Sequence, residues 1–172
     1  MSKRLVLTAI SLLVAASAAA SPAIAASDAE LAAAVRAMYA EYRRGFVDVP
    51  EVSPDSLFVW MKSPSTVLVD VRSDDERDIS IIPGAIAWRD YEAHSDSYDG
   101  LRIVLYCTIG YRSAEHAARL RAQGVNAHNL MAGILGWVHA GGTVEHDGES
   151  IHVVHVYGPR WSLLPSGYQP RW

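Results

Sequence analysis

Apolar residues recur along this chain at two spacings, and the spacing changes from segment to segment. Leu31, Val35, Met38 and Tyr42 fall three or four apart, which predicts an amphipathic helix over residues 28–44. Ser27-Asp28-Ala29-Glu30 has the form of a capping box at its start, and Gly45 ends it. Residues 46–50 read as a connector or short strand. Ser53-Pro54-Asp55 predicts a second helix, with proline at the first helical position and Leu57, Phe58, Trp60 and Met61 as its apolar face. The β-branched run Thr-Val-Leu-Val-Asp-Val at 66–71 predicts a buried strand. A charged short helix or turn follows at 73–78, then a loop leading into a short strand by residue 87. Residues 90–100 are polar, a loop or short helix.

Residues 101–106 form a second continuous apolar run and predict another buried strand. Residues 113–123 predict a helix with Ala117, Ala118 and Leu120 inward, ended by Gly124. A third short strand is expected at 125–131 and a short helix at 133–140. Strands alternating with helices predict an α/β domain on a mainly parallel sheet. Beyond it, residues 143–157 predict a hairpin turning at Asp147-Gly148. Residues 158–172 are expected to lie along the surface, with Trp161, Tyr168 and Trp172 packing onto the domain.

The first residues follow a different pattern. Lys3 and Arg4 precede an apolar stretch, and small residues follow up to Ala25. That pattern predicts a secretory leader over 1–25 and places the protein in the periplasm or outside the cell. The apolar stretch is shorter than the ~20 residues that span a bilayer, so no stable membrane anchor is expected. The net charge is −4, and loss of Lys3 and Arg4 would make the remainder more acidic. With no basic run, nucleic acid is not an expected partner.

There is one cysteine, Cys107. A single cysteine excludes an internal disulfide, a CxxC pair and a cysteine-cluster metal site. The seven histidines show no ligand spacing, so neither metal nor cofactor is expected. His152 and His155, three apart on an expected strand, should face opposite sides. Cys107 stands where the strand of 101–106 gives way to the helix of 113–123. Sites of parallel α/β sheets form at such strand ends. Gly110 lets the connecting loop curl, so the amides of residues 108–113 can surround the sulfur. Arg112 adds a fixed positive charge. Amides, helix dipole and Arg112 all favour the thiolate. These residues predict a nucleophilic thiol enzyme. Trp88, Arg89 and Tyr111 are candidates for the rim of its pocket.

Five ordered elements carry a family likeness: Leu68-Val69-Asp70-Val71-Arg72, Ile82-Pro83-Gly84-Ala85-Ile86, Ile103-Val104-Leu105-Tyr106-Cys107, the loop Thr108-Ile109-Gly110-Tyr111-Arg112-Ser113, and the segment around Gly133. In these the chain resembles the rhodanese (thiosulfate sulfurtransferase) family over residues 53–142. Ile81 departs from the pattern, since the family often has a histidine there. The resemblance implies a parallel sheet of about five strands with helices on both faces. Residues 26–52 would then be an N-terminal helical extension and 143–172 a C-terminal hairpin and tail. It also implies that Cys107 takes sulfane sulfur from an anionic, thiosulfate-like donor. A Cys107 persulfide would then pass the sulfur to a thiol or other thiophilic acceptor, which could be a protein. The amides of Thr108, Ile109, Gly110, Tyr111 and Arg112 would hold the thiolate and persulfide. Arg112 would help hold the donor or the loop, and Asp70, Arg72 and Ser113 would support the loop.

Two other readings compete. Cysteine phosphatases and arsenate reductases place a longer loop between cysteine and arginine. Here only four residues intervene, which suits one sulfur atom better. The other is a non-enzymatic persulfide carrier or protein-binding module, and a Cys107→Ser variant that kept its full biological effect would favour it.

Overall fold

A computed structural model describes residues 26–172. The predicted leader at 1–25 lies outside the described residues. Five strands form one parallel sheet: β1 (Glu51–Val52), β2 (Thr66–Asp70), β3 (Ile86–Ala87), β4 (Arg102–Tyr106) and β5 (Ala127–Leu130). Their order is β1-β5-β4-β2-β3, so β4 is central. Alternation along β4 divides the core. Val104 and Tyr106 face one side, where they meet α1 (Asp28–Arg43), α2 (Pro54–Trp60) and α6 (Gly133–His139). Ile103, Leu105 and Cys107 face the other, with α4 (Trp88–Ala93) and α5 (Tyr111–Ala122). α3 (Asp74–Arg77) is the short turn between β2 and β3. This is the α/β architecture with helices on both faces that the sequence predicts.

Local chemistry explains the helix starts. Ser27 and Glu30 form the expected capping box on α1, and Ser53 caps α2. A second capping box, Ser73 with Glu76, starts α3. α1 packs on α5 and α6, burying Val35 and Tyr39. The edge strand β1 lies within the segment read as the N-terminal extension and pairs with β5.

The tail departs from one expectation. β6 (Val144–His146) and β7 (Glu149–Ile151) form the hairpin, turning at Asp147-Gly148. The chain then breaks at His152 instead of continuing as one arm to residue 157. β8 (Val153–His155) pairs in parallel with β9 (Gln169–Arg171). Turned out of the hairpin, His152 packs on Tyr168, while His155 points toward Glu76. Between β8 and β9, Ser166 donates from its amide (2.7 Å) and hydroxyl (2.8 Å) to Asp28 at the start of α1. The two ends of the described chain are thereby clasped together.

Candidate active site

Cys107 follows β4 directly, at the carboxyl end of the central strand, and is 2 % exposed. Its loop is shorter than the sequence suggests, because α5 begins at Tyr111, two residues before the expected start. Tyr111 and Arg112 therefore belong to the first helical turn. Gly110, with φ of 98°, makes the corner, and its N–H donates to Cys107 Sγ at 3.2 Å. The Ser113 hydroxyl donates to the same sulfur at 3.6 Å. A Cβ at residue 110 would sit 2.7 Å from Tyr39 Cε2, so glycine is required by both torsion and space.

The loop carbonyls are tied down elsewhere. Ile134 N–H donates to the Cys107 carbonyl (2.9 Å) and Leu135 N–H to that of Thr108 (3.2 Å), which uses free donors in the first turn of α6. C=O and N–H of a trans peptide point opposite ways, so the Thr108 and Ile109 amides are turned away from α6. A Cβ at Gly133 would collide with the Cys107 carbonyl oxygen, which is why α6 opens on a glycine. Asn129, on β5, donates to the Gly110 carbonyl (3.0 Å) and to the Tyr39 hydroxyl (3.2 Å); that hydroxyl in turn donates to Glu51. α1 is thereby linked to the glycine that contacts the sulfur.

Arg112 is not a free cation. Its Nη1 and Nη2 donate to Glu76 at 2.7 and 2.8 Å, and Nη2 also reaches Thr108 Oγ1 at 3.3 Å. Burial opposes ionisation of Glu76, but the hydrogen bonds and charge of Arg112, the Ser73 amide and the Arg72 charge prevail. Together they bring the carboxyl down to about 2. The Arg112 guanidinium lies 4.8 Å from the centre of the Tyr157 ring. His155 Nδ1 stands 3.6 Å from Glu76 Oε1, and burial holds its imidazole below the usual range despite that carboxylate. Thr108 and Ile109 are buried, at 1 % and 3 % exposure, and form floor instead of rim.

Asp70 and Arg72 lie one layer beneath. Arg72 Nη2 donates to Asp70 (2.7 Å) and to the Ser80 carbonyl (2.6 Å), and the Tyr106 hydroxyl donates to Asp70 at 2.7 Å. Tyr106 in turn accepts from Ile82 N–H at 3.0 Å. They brace the end of β4 through Tyr106 and do not contact the sulfur loop directly.

Above Cys107 opens a cavity of about 310 Å³, lined by Tyr42, Cys107, Thr108, Ile109, Tyr111, Arg112, Tyr157 and Trp161. Tyr42 stacks on Trp161 (5.8 Å, 11°) and meets Tyr111 edge-on. Trp161, expected only to pack the tail, is thus a wall of the site. Of the expected rim residues, Tyr111 is present, while Trp88 packs on His116 and Arg89 pairs with Asp74 at the surface. Glu76, Asn129, Tyr42, Tyr157 and Trp161 are the site residues that sequence reasoning missed. Of these only Glu76 carried a local signal, the Ser73–Glu76 capping box. No helix among the described residues is long and apolar enough to cross a membrane. No group of potential metal ligands occurs among them either.

Comparison with known proteins agrees with this fold. The chain is similar to the tRNA uridine(34) hydroxylases of Bacillus velezensis (30% identity, covering 42% of this chain and 26% of that protein) and Variovorax paradoxus (31% identity, 67% and 49%). It spans from about a quarter to a half of the length of the curated relatives it matches. A thiosulfate sulfurtransferase from Pseudomonas aeruginosa shares the fold, with a TM-score of 0.52 at 22% identity over 67% of this chain and 23% of that one. The profile of the Rhodanese-like domain matches residues 53–140, which hold four of the five sheet strands (all but the edge strand β1), the Cys107 loop and Glu76 but not the aromatic residues of α1 and the tail. With that match over more than half its length, the chain belongs to the rhodanese-like domain family.

Proposed function

We propose that the protein is a sulfurtransferase working through a Cys107 persulfide. The observation that carries this reading is the setting of Cys107 Sγ. It takes hydrogen bonds from the Gly110 amide and the Ser113 hydroxyl, in a loop with four residues before Arg112, at the floor of a cavity. The Cys107 thiolate attacks the outer sulfur of a sulfane donor. The donor's S–S bond breaks, its electron pair leaves with the remaining fragment, and Cys107 keeps the sulfur as a persulfide. A thiophilic acceptor then attacks that outer sulfur and returns the thiolate, a double displacement with ping-pong kinetics. No second cysteine exists in the chain to resolve the persulfide, so the acceptor comes from outside. The leader pattern of residues 1–25 supports an exported, periplasmic setting for this exchange.

We do not carry over the hydroxylase activity named for the curated relatives. The match spans less than half of each of them, and a net charge of −4 with no basic run gives tRNA little electrostatic footing. Intact mass measurement after exposure to a sulfane donor tests the reading. The wild type should gain the mass of one sulfur atom and Cys107→Ser none; loading of the serine variant, or of neither protein with any donor, overturns it.

A further inference from the structure

The cavity above Cys107 is poorly matched to an inorganic dianion. Arg112 is the one cation among the described residues that line it, and both its terminal nitrogens are committed to Glu76. With Glu76 ionised, that pair is neutral overall, so a second negative charge would face the thiolate without a free side-chain cation to offset it. What the cavity offers instead is π-surface. Tyr42, Tyr111, Tyr157 and Trp161 wall it, from α1, α5 and the tail. The Tyr42–Trp161 stack is held in place because the Asp28–Ser166 hydrogen bonds join α1 to the tail. A cavity of ~150 Å³ accommodates a benzene ring. At about 310 Å³, this one has room for a ring together with a sulfonyl or thiol group.

Resting on the sulfur-transfer reading above, we infer that the donor is an organic sulfane compound. It carries an apolar or aromatic body on an aryl or alkyl persulfide or thiosulfonate, and it enters with at most one negative charge. Its body lies among the four rings and its sulfane sulfur points down to Cys107. For a thiosulfonate, the thiolate bonds to the outer sulfur and the bond from that sulfur to the sulfonyl sulfur breaks. The electron pair leaves on the sulfinate, so one persulfide anion and one sulfinate anion replace one thiolate and one thiosulfonate. For a persulfide, the outer sulfur moves with its proton and the donor leaves as a thiolate. No oxidant or reductant is required in either case.

The test compares second-order rates of persulfide formation with benzenethiosulfonate and with thiosulfate. The ratio of the two rates on the protein is set against the same ratio on free cysteine, which removes the donors' intrinsic reactivity. The wild-type ratio should exceed that of free cysteine by about tenfold or more. An equal or smaller ratio overturns the inference and leaves sulfur transfer standing. Trp161→Ala and Tyr42→Ala should each lower the ratio several-fold, whereas Trp172→Ala, outside the cavity, should not. If the Trp161 and Tyr42 variants fold and keep the wild-type ratio, the rings do not select the donor and the inference fails. Absence of a persulfide with both donors would instead overturn the sulfur-transfer reading.

Discussion

The floor and the wall of this site are built differently. The floor is backbone and buried ion pairs from the family-matched segment: the Cys107–Gly110 loop, the carbonyls tied to α6, and Glu76 on Arg112. The wall is aromatic and comes mostly from outside that segment, with Tyr42 on α1 and Tyr157 and Trp161 in the tail. A floor fixed by short-range hydrogen bonds sets where sulfur sits. A wall of side chains on flanking elements can change without moving that sulfur. Damage to the floor should therefore impair loading by every donor, and damage to the wall should change which donor is used.

The largest effect should come from Glu76→Ala, which leaves Arg112 without its carboxylate partner and the Ser73 amide and hydroxyl without their acceptor. Stability should fall by about 3 kcal/mol, read by denaturant unfolding, and persulfide loading should fall with it. A variant as stable as wild type would show that the pair does not support the floor. Acid provides a related test. Folding holds the Glu76 carboxyl at about 2, against an ordinary value of 4.5, so the unfolded chain binds the proton first as pH falls. Its stabilisation is complete above pH 4.5, fades between 4.5 and about 2, and is gone below that. Unfolding measured across this window should show a steeper loss for wild type than for Glu76→Gln.

Next in size is Gly110→Ala. It forces a Cβ against Tyr39 at a φ of 98° and should cost about 2 kcal/mol, with loss of the Sγ hydrogen bond visible as slower loading. Asn129→Ala should cost about 1 kcal/mol by leaving the buried Gly110 carbonyl without its side-chain donor, and should slow loading by all donors alike. The smallest effect belongs to the wall. Asp28→Ala removes the tether to Ser166 and should speed amide hydrogen exchange across 157–172 while leaving 107–113 protected. Equal change in both segments would mean that floor and wall are one cooperative unit.

The same contrast explains what the sequence made legible. The Cys107 loop could be read because its parts are neighbours in the chain: apolar strand, cysteine, glycine and helix. α1 and α2 could be read from their caps. The Glu76–Arg112 pair joins residues far apart, and residues 73–78 read only as a charged short helix or turn, although Ser73 and Glu76 have the spacing of the capping box that marks α1. Between holding the donor and holding the loop, the two roles expected of Arg112, the sequence alone offers no choice. The wall was illegible for a related reason. Tyr42 lies on a helix whose apolar positions look like ordinary packing, and Trp161 meets it only because the tail folds back through β8 and β9. Helix spacing and turn residues carry no record of that return.

The central claim is that Cys107 holds sulfur transiently and passes it on. Peptide mass mapping of donor-loaded protein, before and after addition of a small thiol acceptor, tests it most directly. The account predicts one added sulfur atom on the peptide containing Cys107, and its loss to the acceptor with return of the free thiol. Sulfur found on another residue, or an adduct on Cys107 that no thiol removes, would contradict it.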